Sequence, residues 1–267
     1  ALTMLNADII GIIELENNSS ESLTALVDAM NARIGSGTYA ALATGTIHDD
    51  AIKTGFLYRS STVSVLGNFA ILDRSVDSRF NDARNRPALA QSFTVDATGA
   101  VFTVAVNHLK SKGSSCDADG DPNLNDGQGN CNVTRTSAAA ALADWLASDP
   151  TGSGDSDVLI IGDLNAYTKE DPLETFSSAG YISLLDAQTD PYSFVFDAQA
   201  GALDHAIVSA GLAPQVVETI EWHINADEPR LLDYNLENGR DPNLFDGSTP
   251  YRASDHDPVV IGLDLTN

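Results

Sequence analysis

Seven polar side chains sit where apolar runs stop: Glu14, His108, Asp163, Asn165, Asp204, Asp255 and His256. A strand entering a core normally sheds charge, because an unpaired buried charge is costly. Yet Ser254-Asp255-His256-Asp257-Pro258 stands directly before Val259-Val260-Ile261-Gly262-Leu263. Likewise Leu159-Ile160-Ile161-Gly162 delivers Asp163-Leu164-Asn165. Asp163 and Asn165 are two apart, hence on one side of an extended chain. Hard oxygen donors of this kind suit magnesium, manganese or calcium rather than zinc. Imidazoles beside them suit proton transfer. Metal and acid–base chemistry together suit hydrolysis of a phosphate ester.

The elements that must position these groups can be read from hydrophobic pattern. Asp8 to Leu15 is a nearly unbroken apolar run, expected as a strand buried on both faces, with Glu14 at its end. Glu21 to Ile34 is expected as an amphipathic helix with Leu23, Leu26, Val27, Met30 and Ile34 on one face and Gly35 as its stop. Thr54–Arg59 and Thr62–Leu66 read as a hairpin about Ser60-Ser61. Ala88–Val95 and Val101–Val106 read as a second hairpin about Ala-Thr-Gly. The latter runs into Asn107-His108-Leu109-Lys110-Ser111-Lys112-Gly113, where His108 has a basic setting in an acidic chain. Such a setting could clamp a phosphate. Thr134 to Ala147 reads as an alanine-rich helix, and Asp171-Pro172 opens a short one to Ser178. Asp204 and His205 head a strand to Ser209, Val216 to Ile224 is another, and Val259 to Leu265 closes the core. Residues 225–253 read as a long loop over the site. The chain is expected to be one domain, residues 1–267, with helices and strands intermixed.

The formal net charge is −24. That excludes a broadly basic nucleic-acid-binding face and argues for solubility in salt, which screens self-repulsion. No run of apolar residues is long enough for a membrane span. Two cysteines, Cys116 and Cys131, bracket a polar loop. A disulfide there would contribute about 3 kcal/mol and implies an oxidising compartment. Within that loop Asp117, Asp119 and Asp121 alternate like the start of a calcium loop, without the glutamate an EF-hand requires.

Taken in order, Ile-Ile-Glu-Leu (12–15), Asn-His-Leu-Lys-Ser-Lys (107–112), Gly-Asp-Leu-Asn (162–165), Leu-Asp-His-Ala-Ile-Val-Ser (203–209) and Ser-Asp-His-Asp-Pro-Val (254–259) resemble the motifs of the endonuclease/exonuclease/phosphatase superfamily, the deoxyribonuclease I-like group. The wording around them is most similar to secreted bacterial extracellular nucleases. The resemblance spans about residues 7–265. It implies a four-layer αββα sandwich, two mixed β-sheets face to face with helices outside. It also implies a secreted nuclease dependent on Mg2+ or Mn2+, with Ca2+ as a further candidate, acting on DNA and possibly RNA. By matching motifs, Glu14 and Asp255 would bind the cation, and Asp163 and Asn165 would hold the attacking water and the phosphate. His256, oriented by Asp204, would be general base or transition-state stabiliser, and His108 would contact phosphate or protonate the leaving oxygen. Lys110, Lys112 and Arg135, with Lys53 more distantly, would contact the substrate.

Two departures stand out. The family normally opens with a strand bearing an active-site asparagine, upstream of the glutamate, so the expectation here is an N-terminally truncated domain. In deoxyribonuclease I an acid pairs with the first catalytic histidine; here Ala51-Ile52-Lys53-Thr54 occupies the matching place. Other readings are a phosphodiesterase of the same fold acting on a phospholipid or another phosphate ester, and a non-catalytic, calcium-stabilised extracellular binding module. No stable protein partner and no membrane insertion are implied.

Overall fold

A computed structural model describes residues 1–233, 241–244 and 246–266. The expected loop over the site, residues 225–253, is thus only partly within the described residues. The elements run α1 (Leu2–Leu5), β1 (Ile9–Glu16), α2 (Glu21–Ile34), β2 (Tyr39–Ala41), β3 (Ile52–Arg59), β4 (Val63–Leu72), β5 (Arg86–Val95) and β6 (Val101–His108). They continue with α3 (Asn132–Ala147), β7 (Val158–Asp163), α4 (Asp171–Ser178), β8 (Ile182–Ser183), β9 (Phe194–Phe196), β10 (Gln199–Gly201), β11 (Asp204–Val208), β12 (Val216–Glu221) and β13 (Val259–Leu263).

The central layer is a six-stranded sheet in the order β4-β5-β6-β7-β11-β8. Among the described residues only β6 and β7 pair parallel, joined by a crossover through α3, as a parallel connection requires. On one face of this sheet lie α3 and α4. Ala138, Ala141, Leu142 and Leu146 pack there against Ala90, Ala105 and Ile160. The alanine stripe of α3 lets helix and sheet approach closely. On the other face Phe93, Val104 and Val106 meet Phe56 of the facing layer. Beyond that layer α2 buries Leu23, Val27 and Met30 against Ile10, Leu15 and Leu57. Each fully buried Leu, Val or Phe contributes about 1.5–3 kcal/mol. The result is the mixed four-layer sandwich expected from the motifs.

Five expectations need correction. The facing layer is two pieces, β1-β3-β2 and β12-β13, rather than one sheet. Among the described residues β1 therefore keeps one free edge, and Ile9, Gly11, Ile12 and Ile13 are only half-buried, not buried on both faces. β3 and β4 do not form a hairpin: β3 pairs with β1 and β2, while β4 pairs with β5. The chain crosses between layers at Ser60-Ser61-Thr62, because the apolar residues of both strands must face the shared core. On α2, Ile34 is 40% exposed, since the last turn overhangs the sheet. The last two strands stop at Glu221 and Leu263, short of the expected ends.

Candidate active site

The site is assembled by strand register. β6, β7 and β11 are neighbours, and their ends place His108 beside Asp163 and Asp163 beside Asp204. Three ionisable groups from three distant segments thus share one level of the sheet. Gly162 permits this: its φ is +114°, and a Cβ would lie 2.1 Å from the Asn107 carbonyl oxygen. Any other residue would push β7 from β6 and break the level.

His256 arrives from the segment before β13. Its Nδ1–H donates to Asp204 Oδ2 at 2.6 Å. The Ser193 hydroxyl donates to the same oxygen at 2.7 Å, and Ser193 Oγ accepts the backbone N–H groups of Leu203 and Asp204. Burial disfavours the imidazolium, but the Asp204 carboxylate, with Asp163 and Asp255, outweighs it and raises the His256 pKa to about 10. At neutral pH His256 is a held cation, which favours the stabiliser or proton-donor role over general base.

Asp163 is buried and its carboxyl is pushed up, to about 8, by burial and then by the Asp204 and Glu14 charges. Asn165 holds it in place. The Asn165 backbone N–H donates to Asp163 Oδ1 at 2.7 Å, and the side-chain amide donates to Asp163 Oδ2 at 2.8 Å and to the Leu109 carbonyl at 3.0 Å. The pair does meet, but through a turn in which Asn165 has φ +49°, not through strand alternation. Asparagine tolerates that left-handed conformation better than most residues. With both amide hydrogens committed, Asn165 positions Asp163 rather than donating to phosphate.

His108 is buried, and desolvation followed by the Arg86 charge lowers its pKa to about 4. Its Nε2 lies 3.7 Å from Asp163 Oδ2 and 4.0 Å from Glu14 Oε1. Its Nδ1 has no hydrogen-bond partner among the described residues, which matches the absence of an acid before Gly55-Phe56-Leu57-Tyr58-Arg59. Glu14 has φ +56° where the register of β1 against β3 shifts. Such a bulge re-aims one side chain, and here it turns the carboxylate to His108.

Glu14 and Asp255 both expose their side chains. Among the described residues no group of three or more His, Cys, Asp or Glu is placed to hold a metal ion. The donor set still fits magnesium or manganese. These ions take one or two carboxylates and complete their shell with water and phosphate, and a cation would relieve the repulsion among Glu14, Asp163 and Asp204.

The basic candidates divide. Lys110 is half-buried beside Ser111, and burial lowers its pKa. Lys112 pairs with Glu170 and lies over the Tyr167 ring, 4.2 Å from its centroid. Arg135 is fully buried, and it donates to the carbonyls of Lys110, Asn130 and Gln128. It is a strut of the loop, not a phosphate contact. Lys53 is likewise buried against the carbonyls of Ser19 and Gly45. Cys116 and Cys131 form the expected disulfide. The acidic loop is not arranged for calcium: Asp121 accepts the N–H groups of Val133 and Thr134 at the start of α3, and Asp119 pairs with Arg84. The orphan donors of a helix start take the carboxylate first.

Sequence reasoning missed Ser193, which fixes Asp204, and Phe194, whose ring stacks on His256 at a centroid distance of 4.5 Å. It also missed a second pair: His223 Nδ1–H donates to Asp257 Oδ2 at 2.9 Å, and its ring stacks on Tyr192. Asp257 in turn accepts the N–H groups of Ile224, Asn225 and Ala226. The Asp257 after His256 was the one available signal.

The Endonuclease/Exonuclease/phosphatase family matches residues 1–256. Among curated proteins no sequence matches. In solved structures, similarity extends to a mannosyl-6-phosphatase of Bacteroides thetaiotaomicron VPI-5482, at 16% identity and TM-score 0.61, covering 98% of this chain and 87% of that one. The catalytic domain of human nocturnin, with bound sulfate, is similar at 17% identity and TM-score 0.56, covering 84% and 76%. TDP2 of D. rerio, complexed with a single-strand DNA product, is similar at 16% identity and TM-score 0.54, covering 83% and 79%. These likenesses concern the fold.

Proposed function

The chain belongs to the endonuclease/exonuclease/phosphatase family, a family of phosphoester hydrolases, and from that premise we propose that it is a secreted, divalent-metal-dependent nuclease of DNA, with RNA as a further candidate substrate. The observation that carries the reading is the His256–Asp204 pair at 2.6 Å, one strand from buried Asp163. Asp163 would take the proton of the attacking water in its carboxylate form, which a cation held beside it would favour over the acid form that burial favours. His256, held cationic, donates to the phosphate and stabilises its developing charge. Buried, neutral His108, its Nε2 3.7 Å from Asp163 Oδ2, would serve the leaving oxygen as a hydrogen-bond donor. Glu14 and Asp255 would hold the cation, magnesium or manganese, which supplies a Lewis acid for the phosphoryl oxygen.

The Cys116–Cys131 disulfide supports an oxidising, extracellular setting. No helix among the described residues is long and apolar enough to cross a membrane. The net charge of −24 favours weak, cation-dependent DNA binding over tight non-specific binding.

The test is cleavage of supercoiled plasmid with magnesium or manganese, against EDTA and a His256→Ala variant. Metal-dependent nicking that falls at least about 100-fold in the variant supports the reading. A second reading is favoured by the coverage of the mannosyl-6-phosphatase, 98% of this chain: a sugar-phosphate monoesterase. Inorganic phosphate released from mannose 6-phosphate, with the plasmid intact, would replace the nuclease by that enzyme.

A further inference from the structure

Three rings leave the catalytic centre in series. The Phe194 ring lies 4.5 Å from that of His256, at 27°. The Phe196 ring lies 6.4 Å from that of Phe194, at 15°. Phe194 is half-buried, while Phe196 is 55% exposed. Both project from one face of β9, because residues two apart on a strand share a face. β9 is held by β10, with Phe194 opposite Gly201 and Phe196 opposite Gln199. The next residue back, Ser193, is bonded to Asp204 and accepts the Asp257 N–H through its carbonyl. The ladder is thus built rigidly onto the catalytic pair. Phe194 borders a cleft whose other walls include Asp227, Glu228, Arg230, Arg252 and Asp255.

Burial of a phenylalanine does not explain this arrangement, because Phe196 gains little cover from it. A flat aromatic ligand does. A phosphodiester bound at His256 carries a sugar and base on each side of phosphorus, within reach of the ladder. Nucleobases stack on aromatic side chains without regard to sequence, because every base has a π-face. Stacking also needs no positive charge, which suits so acidic a chain. We infer that Phe194 and Phe196 form a stacking subsite for a nucleobase of the DNA strand, next to the phosphate held at His256. This rests on the nuclease reading and adds to it a means of gripping the strand.

The test uses the whole chain and single-stranded DNA oligonucleotides, either intact or lacking one base at a time along the strand. For wild type, removing the base beside the cleaved bond should raise KM about tenfold, as one lost stacking contact would. In Phe196→Ala the KM ratio between abasic and intact strands should collapse toward one, with kcat little moved. Phe196→Trp should restore it. Quenching of a 2-aminopurine placed at the same position, followed in the His256→Ala background, should be lost with Phe196→Ala. Cleavage with an unchanged ratio and unchanged quenching in Phe196→Ala would overturn the subsite and leave the nuclease reading standing. An oligonucleotide neither cut nor bound by wild type would overturn both.

Discussion

His256 Nδ1 lies 2.6 Å from Asp204 Oδ2, although the two residues are 52 positions apart. The contact sets the charge of the imidazole. In Asp204→Asn the carboxylate that raises the His256 pKa to about 10 is gone, so the pKa should fall below its present value, and NMR titration of the ring reads it. Wild-type activity should not fall through neutral to mildly alkaline pH from loss of the imidazolium. The variant should lose about 10- to 1,000-fold in kcat and should decline further as pH rises. An unchanged ring titration would refute the assignment.

His108 should cost stability in acid. Its folded pKa of about 4 lies below the ordinary 6.5 because burial disfavours the charged form. As pH falls below 6.5 the unfolded chain gains a proton that the folded chain refuses until about pH 4. Stability therefore declines across that window, by up to roughly 3 kcal/mol. His108→Gln should flatten this part of the profile. Urea denaturation of both proteins at pH 7 and pH 5 makes the comparison.

Gly162→Ala should be among the most harmful single changes outside the ionisable groups. The new Cβ would meet the Asn107 carbonyl at 2.1 Å, at a φ of +114°. A loss of at least about 3 kcal/mol is expected, with activity falling further as His108 and Asp163 lose their shared level. Thermal melting and plasmid nicking measured together would show both effects; a variant as stable as wild type would contradict the register argument.

Arg135 separates a structural from a substrate role. Its guanidinium is spent on three carbonyls of the loop that leads into α3. Arg135→Met should lower stability by about 2–4 kcal/mol and leave the KM of folded protein nearly unchanged. A tenfold rise in KM without loss of stability would restore the phosphate contact.

Reduction of Cys116–Cys131 should cost about 3 kcal/mol, since the bond closes a 15-residue separation. The denaturation midpoint with and without dithiothreitol reads it. An equal midpoint in both would show that Arg135 and Asp121 suffice to hold the loop.

The chain by itself determined the strands that carry the site, because an ionisable residue at the end of an apolar run is legible in one dimension. Glu14, His108, Asp163, Asp204 and His256 were all singled out that way, while the αββα layering followed from the family resemblance that the order of motifs carries. What one dimension could not decide was pairing. Only the fold shows that β3 leaves β4 for another layer, that Asn165 serves Asp163, and that Arg135 turns inward. Register brings His108, Asp163 and Asp204 to one level, and it depends on which strands become neighbours, which local pattern does not encode. Ser193, Phe194 and Phe196 carry no ionisable group, so nothing in their types marked them. Their importance comes from standing against Asp204 and His256, and that is a property of tertiary packing alone.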